Sequence, residues 1–207
     1  MGKDFYDKVA EKFGNYDTPS ESKRVFSNGD PEGIFKEKLL GVSGSDKLAL
    51  DVGCADGRFT LSIAPSFEKI TAIDISEGML AAARRNQTEQ GVINVDFLNR
   101  NAHDMGFDPN TFDVIYDRRG PNDYPAYFKV LKPGGYFILV DIGEQDTREI
   151  KEVFGRGQGY GKWDQSSLER DRKALGEAGF EVIYAEDFQY DEYYPSIKDL
   201  DIFLQGV

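Results

Sequence analysis

The sequence predicts an α/β fold: an open, doubly wound, mostly parallel sheet with helices on both faces. Three observations predict it. From Lys47 onward, short apolar runs alternate with helical stretches, the pattern of parallel strands joined by right-handed crossovers. The first run ends in Asp51-Val52-Gly53-Cys54-Ala55-Asp56-Gly57, a glycine-containing strand-to-helix turn. The other chemically distinctive residues also follow the ends of apolar runs, and in such sheets ligands bind beyond the carboxyl ends of the strands.

Phe5, Val9 and Phe13 recur at helical spacing, and a polar, turn-rich stretch runs from Gly14 to Pro31. Pro31 suits the start of a second helix over Glu32–Leu40. Residues 1–45 therefore read as a helical cap and residues 46–207 as the main domain. Strands are expected at Leu48–Val52, Lys69–Asp74, Val95–Leu98, Phe112–Tyr116 and Tyr136–Val140, and the clearest helices at Glu77–Gln90 and Pro125–Leu131. Beyond Asp141, the Gly143–Trp163 excursion has four glycines between Gly155 and Gly161, so it reads as a flexible loop. A helix over Ser166–Ala178, a strand over Phe180–Phe188 and a helical stretch over Ser196–Leu204 complete the chain.

A chain of 207 residues suits one domain with a small cap. Its net charge of −12 repels phosphate backbones and anionic lipid, which disfavours nucleic-acid and membrane-surface partners. The strongest local basic candidate is Arg118-Arg119. Cys54 is the single cysteine, so an intrachain disulfide is impossible. No apolar run reaches membrane-spanning length, and Met1–Phe5 opens a polar amphipathic stretch instead of a signal peptide. A cytoplasmic protein is the plain expectation.

Gly53 and Gly57 let the backbone turn sharply and approach a ligand closely, and the helix start behind them offers free N–H groups to a carboxylate. Asp51 and Asp56 suit a ligand carrying an amino group and a sulfonium, not a pyrophosphate. A dinucleotide turn wants G-x-G-x-x-G, but Ala55 and Arg58 stand at its second and third glycine positions. The competing reading is a purely structural turn. Asp74 weighs against that reading. It ends the second strand about twenty residues on, where a carboxylate accepts from both ribose hydroxyls. Ile75 beside it offers an apolar face to adenine. Asp74 could instead cap the next helix, although Ser76 suits that role better.

Five stretches in order carry a resemblance: Asp51 to Gly57, Asp74-Ile75-Ser76-Glu77-Gly78-Met79-Leu80, Asn101 to Phe107, Phe112-Asp113-Val114-Ile115, and Leu131-Lys132-Pro133-Gly134-Gly135. Together they resemble the motifs of class I S-adenosylmethionine (SAM)-dependent methyltransferases, most closely the small-molecule branch called type 11. The resemblance covers roughly residues 47–142 and implies a Rossmann-like domain that binds SAM and releases S-adenosylhomocysteine. It implies that Asp51, Gly53, Cys54, Ala55 and Gly57 hold the methionyl part of the cofactor and Asp74 the ribose. Ile75 and Ala102 would flank adenine, and Asn101, where the family usually has Asp, would meet its edge. Leu131–Gly135 would be a structural turn into the fifth strand.

Asp117-Arg118-Arg119-Gly120-Pro121 follows the fourth strand, where methyl donor and acceptor should meet, and Asp117 is counted with the cofactor residues. Two arginines there suit a carboxylate or phosphate on the acceptor, or else simply answer Asp117 and Asp123. Arg156 in the glycine-rich loop is a third candidate. His103, the only histidine, reads as a cofactor-side residue in preference to a general base. Tyr6 and Tyr16 resemble aromatic positions of the family's cap that close over the cofactor, or are ordinary cap packing.

The expected activity is therefore in-line methyl transfer to a small molecule, which asks the protein mainly for alignment and exclusion of water. Competing readings are a SAM-binding protein without transfer activity and, against Ala55 and Arg58, a nicotinamide-dependent oxidoreductase. The family's sheet normally ends in an antiparallel hairpin of sixth and seventh strands. Here Phe180–Phe188 can supply the sixth, but no seventh is evident. The fifth strand is then expected to be paired by Phe180–Phe188 or covered by a partner subunit.

Overall fold

The computed structural model describes residues 3–16 and 19–205. Met1 and Gly2, on which the N-terminal reading partly rests, lie outside them. Five parallel strands form the main sheet: β2 (Gly44–Val52), β3 (Phe67–Asp74), β4 (Val95–Asn99), β5 (Phe112–Arg118) and β6 (Leu131–Val140). Their spatial order is β4-β3-β2-β5-β6. The chain enters at the centre with β2, moves outward through β3 and β4, and crosses back to β5. Strand order therefore reverses between β2 and β5, where Val52 stands beside Asp117.

Successive residues of one strand face opposite sides, and the core divides accordingly. Val114 and Tyr116 of β5 pack in one cluster with Phe35, Leu39, Leu61 and Leu80. Ile115 packs in the other with Leu50, Ile73 and Tyr127. The first face is covered by α2 (Pro31–Gly41), α3 (Arg58–Ile63) and α4 (Glu77–Gln90), the second by α5 (Tyr124–Val130) and α7 (Ser167–Ala178). Both faces of the sheet are covered, so the strands read as apolar runs. The helix ends follow from local chemistry. Ser76 Oγ accepts from Met79 N at 3.1 Å to start α4, and Gly91, at φ +66°, ends it. Asp30 and Pro31 start α2, and Ser166 starts α7.

The N-terminal residues are bound into this frame. Helix α1 (Lys3–Phe13) lies along α4, where Asp7 Oδ1 accepts from Ser76 Oγ at 2.5 Å and from Gly78 N at 3.3 Å. Leu39 of α2 is completely buried.

Four expectations are corrected. The Gly143–Trp163 stretch read as a loop contains a helix over Arg148–Phe154. Phe180–Phe188 is not a strand. Phe180 turns its ring onto Phe128 and Phe137, at 5.1 and 5.5 Å between centroids, and the following residues run irregularly away from the sheet. Leu131–Gly135 is the first half of β6 and not a turn before it. Gly134 adopts φ +76°, and a Cβ on Gly135 would stand 2.8 Å from the Asp113 carbonyl oxygen, so the strand begins in close contact with β5. The turn-rich Gly14–Pro31 stretch contains β1 (Lys23–Phe26), which pairs antiparallel with β7 (Tyr190–Tyr193), as Lys23 opposite Tyr193 through Phe26 opposite Tyr190. Between β6 and β7 lie α6 (Arg148–Phe154) and α7, and the last element is α8 (Ile197–Leu204). Among the described residues no strand pairs with the outer edge of β6.

The burial of α2 makes a test. Leu39→Ala should lower the unfolding free energy by roughly 2–5 kcal/mol in urea titration, the range for a large-to-small change in a closed core. A loss below about 0.5 kcal/mol, ordinary for a surface position, would show that α2 is peripheral.

Candidate functional site

The loop after β2 hangs from the end of β3. Gly53 N and Cys54 N both donate to the Ile73 carbonyl, at 2.9 and 3.0 Å. Asp74 then takes the next turn, its Oδ2 accepting from Ala55 N at 2.9 Å and its Oδ1 from Ser76 N at 2.8 Å. Each carboxylate oxygen keeps a second lone pair, and Asp74 is only partly buried, so a ligand can reach it. Ala55 sits at φ +46°, a left-handed conformation costly for any residue with a Cβ, of the kind held at ligand-binding turns. Gly57, at φ +70°, starts α3, and a Cβ there would meet Phe97 Cζ at 2.6 Å. Its role is packing. Across the cleft a Cβ on Gly53 would meet Gly120 Cα at 3.5 Å and Pro121 Cδ at 3.7 Å. The loops after β2 and β5 therefore face each other over a narrow gap.

Negative charge accumulates under that gap. Asp51 is buried and accepts from Thr60 Oγ1 at 2.5 Å. Burial raises its pKa from 3.8 to about 6, against the pull of Thr60 and of Arg118. Asp117 is completely enclosed. Its Oδ1 accepts from Gly120 N at 2.6 Å, while Oδ2 has no hydrogen-bond partner. Burial, then the charges of Asp141 and Asp51, push its carboxyl well above the usual range. Asp74 is likewise raised by burial, opposed by its backbone donors. The Tyr116 hydroxyl is buried beside Asp51, too poorly aligned for a well-formed hydrogen bond. Burial raises the Cys54 thiol well above its usual range, so it stays a neutral wall of the loop.

The cap closes over the same loop. Tyr16 N donates to Asp56 Oδ2 at 2.9 Å, and the Tyr6 and Tyr16 rings lie 6.3 Å apart. The Tyr6 hydroxyl is raised by burial, then by Tyr16 and Asp74, so it stands within electrostatic reach of the β3 end. Asp56 also accepts from Arg58 Nε at 2.9 Å. Ile75 is half-buried and Ala102 buried, and both line the cleft. Asn101 is exposed, and its Oδ1 accepts from His103 N at 3.0 Å, one of its two lone pairs. His103 Nδ1 pairs with Asp123 Oδ2 at 2.7 Å. Because Asp123 also caps α5 through Ala126 N, the histidine braces that helix start.

Arg118 and Arg119 are brought together on Glu32, in the first turn of α2. Glu32 Oε2 accepts from Arg118 Nε at 3.1 Å and Nη2 at 2.7 Å, and Oε1 accepts from Arg119 Nη2. The pair thus answers neither Asp117 nor Asp123. Arg156 is exposed, and no contact joins it to either arginine. Glu32 is the residue the sequence reading missed. It stands 86 residues before Arg118, and its only local signal was its place behind Asp30-Pro31.

Similarity to known proteins agrees with this geometry. A family model described as "Methyltransferase domain" matches residues 43–172, well over half of the chain. A demethylmenaquinone methyltransferase of Lactococcus lactis subsp. lactis (strain IL1403) is 30% identical over 160 residues, covering 72% of this chain and 64% of the relative. A SAM-dependent methyltransferase from Aquifex aeolicus superposes with a TM-score of 0.58 at 22% identity, over 80% of this chain and 88% of that one. The [4+2]-cyclase SpnF superposes with a TM-score of 0.67 at 22% identity, over 89% and 73%. The two structures share the fold. The chain spans 48% to 66% of the length of the first curated relatives it matches.

The buried carboxylates make a pH test. Asp51 binds its proton more tightly folded than unfolded, so its contribution to stability is complete below about pH 4. It is lost as pH rises through about 6, a swing on the order of 3 kcal/mol. Asp51→Asn removes the titration. Relative to the parent, it should therefore gain stability between pH 4 and pH 8 by about that amount, read from urea midpoints. A pH-independent difference would show that the Asp51 carboxyl is not held protonated by burial.

Proposed function

The chain belongs to the methyltransferase-domain family, and from that membership we propose that it transfers a methyl group from SAM to a small-molecule acceptor. The observation that carries the reading is the set of buried carboxylates, Asp51 and Asp117, at the ends of adjacent strands with one oxygen unpartnered. Burial opposes ionisation of these carboxyls, and a ligand with an ammonium and a sulfonium would offset the charge that ionisation brings. A pyrophosphate would add negative charge to the site.

In this reading the Gly53–Gly57 loop and Asp51 hold the methionyl end, Asp117 lies beneath it, and Asp74 holds the ribose through its unused lone pairs. Ile75 and Ala102 flank adenine, and the second lone pair of Asn101 Oδ1 meets its edge. Bound SAM supplies the electrophilic methyl group. The chain's own residues align the acceptor beside the loops that follow β2 and β5 and exclude water, with Tyr6 and Tyr16 closing the outer side. The acceptor side is the end of β5, with Arg118 and Arg119 beside it. Arg156 belongs to the acceptor side only if the glycine-rich loop swings inward.

The SpnF likeness keeps a SAM-binding protein without transfer activity as a second reading, because the same fold serves a cyclase. We assign the protein to the cytoplasm, consistent with the finding that no helix among the described residues is long and apolar enough to cross a membrane. A homo-oligomer fits the uncovered outer edge of β6.

Calorimetry with SAM, S-adenosylhomocysteine and NADH tests the cofactor. We expect micromolar binding of the first two and none of NADH. Asp74→Asn leaves one acceptor for the two backbone donors and removes charge from the ribose contacts, so SAM affinity should fall roughly ten- to hundredfold. Unchanged affinity removes Asp74 from the site. Turnover of radiolabelled SAM against a metabolite panel separates the two readings: binding without any methylated product favours the second.

A further inference from the structure

Among the described residues Arg24 pairs with Glu192, Arg148 with Glu152 and Arg170 with Asp171, one arginine to one carboxylate. The end of β5 breaks that pattern. Arg118 and Arg119 share one carboxylate, that of Glu32, and Arg24 adds its field to the same group. Two guanidiniums therefore meet one carboxylate here, on a chain with net charge −12. Glu32 engages Arg118 Nε and Nη2 and Arg119 Nη2, so Arg118 Nη1 and Arg119 Nε and Nη1 have no acceptor among the described residues.

The Arg118 guanidinium and the Arg119 backbone are both fixed by contacts other than Glu32. The Arg118 guanidinium lies 4.1 Å above the Phe59 ring, and Phe59 is itself wedged against Phe35 and Tyr116. Arg119 is held at φ +61°, its N donating to the Val140 carbonyl at 2.8 Å. The turn behind it is closed by Asp117 Oδ1 on Gly120 N, and a Cβ at Gly120 would stand 2.5 Å from that oxygen. A left-handed, non-glycine residue costs free energy and persists where the surroundings over-determine it. The result is a fork whose Arg118 arm lies fixed on Phe59 and whose Arg119 arm springs from a fixed backbone, and Gly120, next in the chain, stands opposite Gly53. Glu32, in contrast, hangs on a long side chain from the first turn of α2, partly open to water.

We propose that the Arg118–Arg119 fork recognises a carboxylate of the methyl acceptor, and that Glu32 is an internal occupant the acceptor displaces. The proposal rests on the reading that the acceptor enters at the end of β5. An internal carboxylate lowers the apparent affinity for every competing anion by the fraction of time the fork is open. Free small anions, with no other contacts, are excluded. An acceptor whose carboxylate arrives while the rest of it is held in the cleft is admitted. Glu32 is thus a specificity residue, and the two arginines provide the planar double-donor geometry that carboxylates match.

Sodium malonate, at constant ionic strength, is the probe for the fork itself. Glu32→Gln should be raised in melting temperature by malonate with a midpoint about tenfold lower than the parent protein's. Adding Arg119→Gln to that variant should abolish the response. Should Glu32→Gln fail to fold, Glu32→Asp, whose shorter arm cannot span both guanidiniums, carries the same expectation. Malonate responses equal in all these proteins would overturn the proposal and leave Glu32 as a latch between α2 and β5. In turnover with acidic members of the metabolite panel, Glu32→Gln should lower KM and Arg119→Gln should raise it. KM values that ignore both changes would overturn the acceptor's part in it. Absence of SAM binding by the parent protein, seen by calorimetry, would end the methyltransferase reading and with it the acceptor assignment, with the malonate titration still deciding whether the fork takes a carboxylate.

Discussion

The structure depends on one electrostatic constraint: three carboxylates, Asp51, Asp74 and Asp117, lie at the ends of three adjacent parallel strands with no lysine or arginine bonded to any of them. Water is largely excluded there, so the fold holds them by other means. Asp74 accepts two backbone N–H groups, Asp51 a threonine hydroxyl, and Asp117 a glycine N–H. Two of these donors sit in unusual backbone: Ala55 is left-handed at φ +46°, and a Cβ on Gly120 would stand 2.5 Å from Asp117 Oδ1. The strained turns and the acidic strand ends are therefore one arrangement seen from two sides. What it leaves unsatisfied among the described residues is one oxygen of Asp117.

The sheet was legible because its signals were local and repeated. Each of the five strands is an apolar run, and burial on both faces is what makes such runs apolar. The placement of Asp51, Gly53 and Asp74 at strand ends was legible for a similar reason, since each closes or follows an apolar run. Phe180–Phe188 misled because its alternating apolar residues imitate a half-buried strand. In the structure Phe180 spends its apolar surface on Phe128 and Phe137, and strand pairing never begins. The β1–β7 ribbon was invisible because its strands are four residues each, polar, and far apart in sequence. Glu32 was invisible on the same ground. Nothing within one element predicts a partner brought in by the fold.

The end of β5 shows how one short turn sets several properties at once. Asp117, Arg118, Arg119 and Gly120 are consecutive, yet they point to the core, to the Phe59 face, to α2 and to Gly53. The aromatic packing beneath Arg118 makes the cation part of the core's edge and not a solvated surface group. A protein that is acidic overall can in this way keep a local region of the opposite sign.

The β1–β7 ribbon joins residues near the two ends of the described chain, and it stands between the cap and everything else. Ser22, Arg24 and Asn28 are tied across it to Glu192 and to the backbone of Asp187. Ser22 and Glu192 are 170 residues apart, so closing the ribbon joins segments that the whole five-stranded sheet separates. The entropy of closing so long a loop is smallest once that sheet has already drawn the two segments together. The ribbon is therefore a late clasp on a cap that α1 and α2 have already docked.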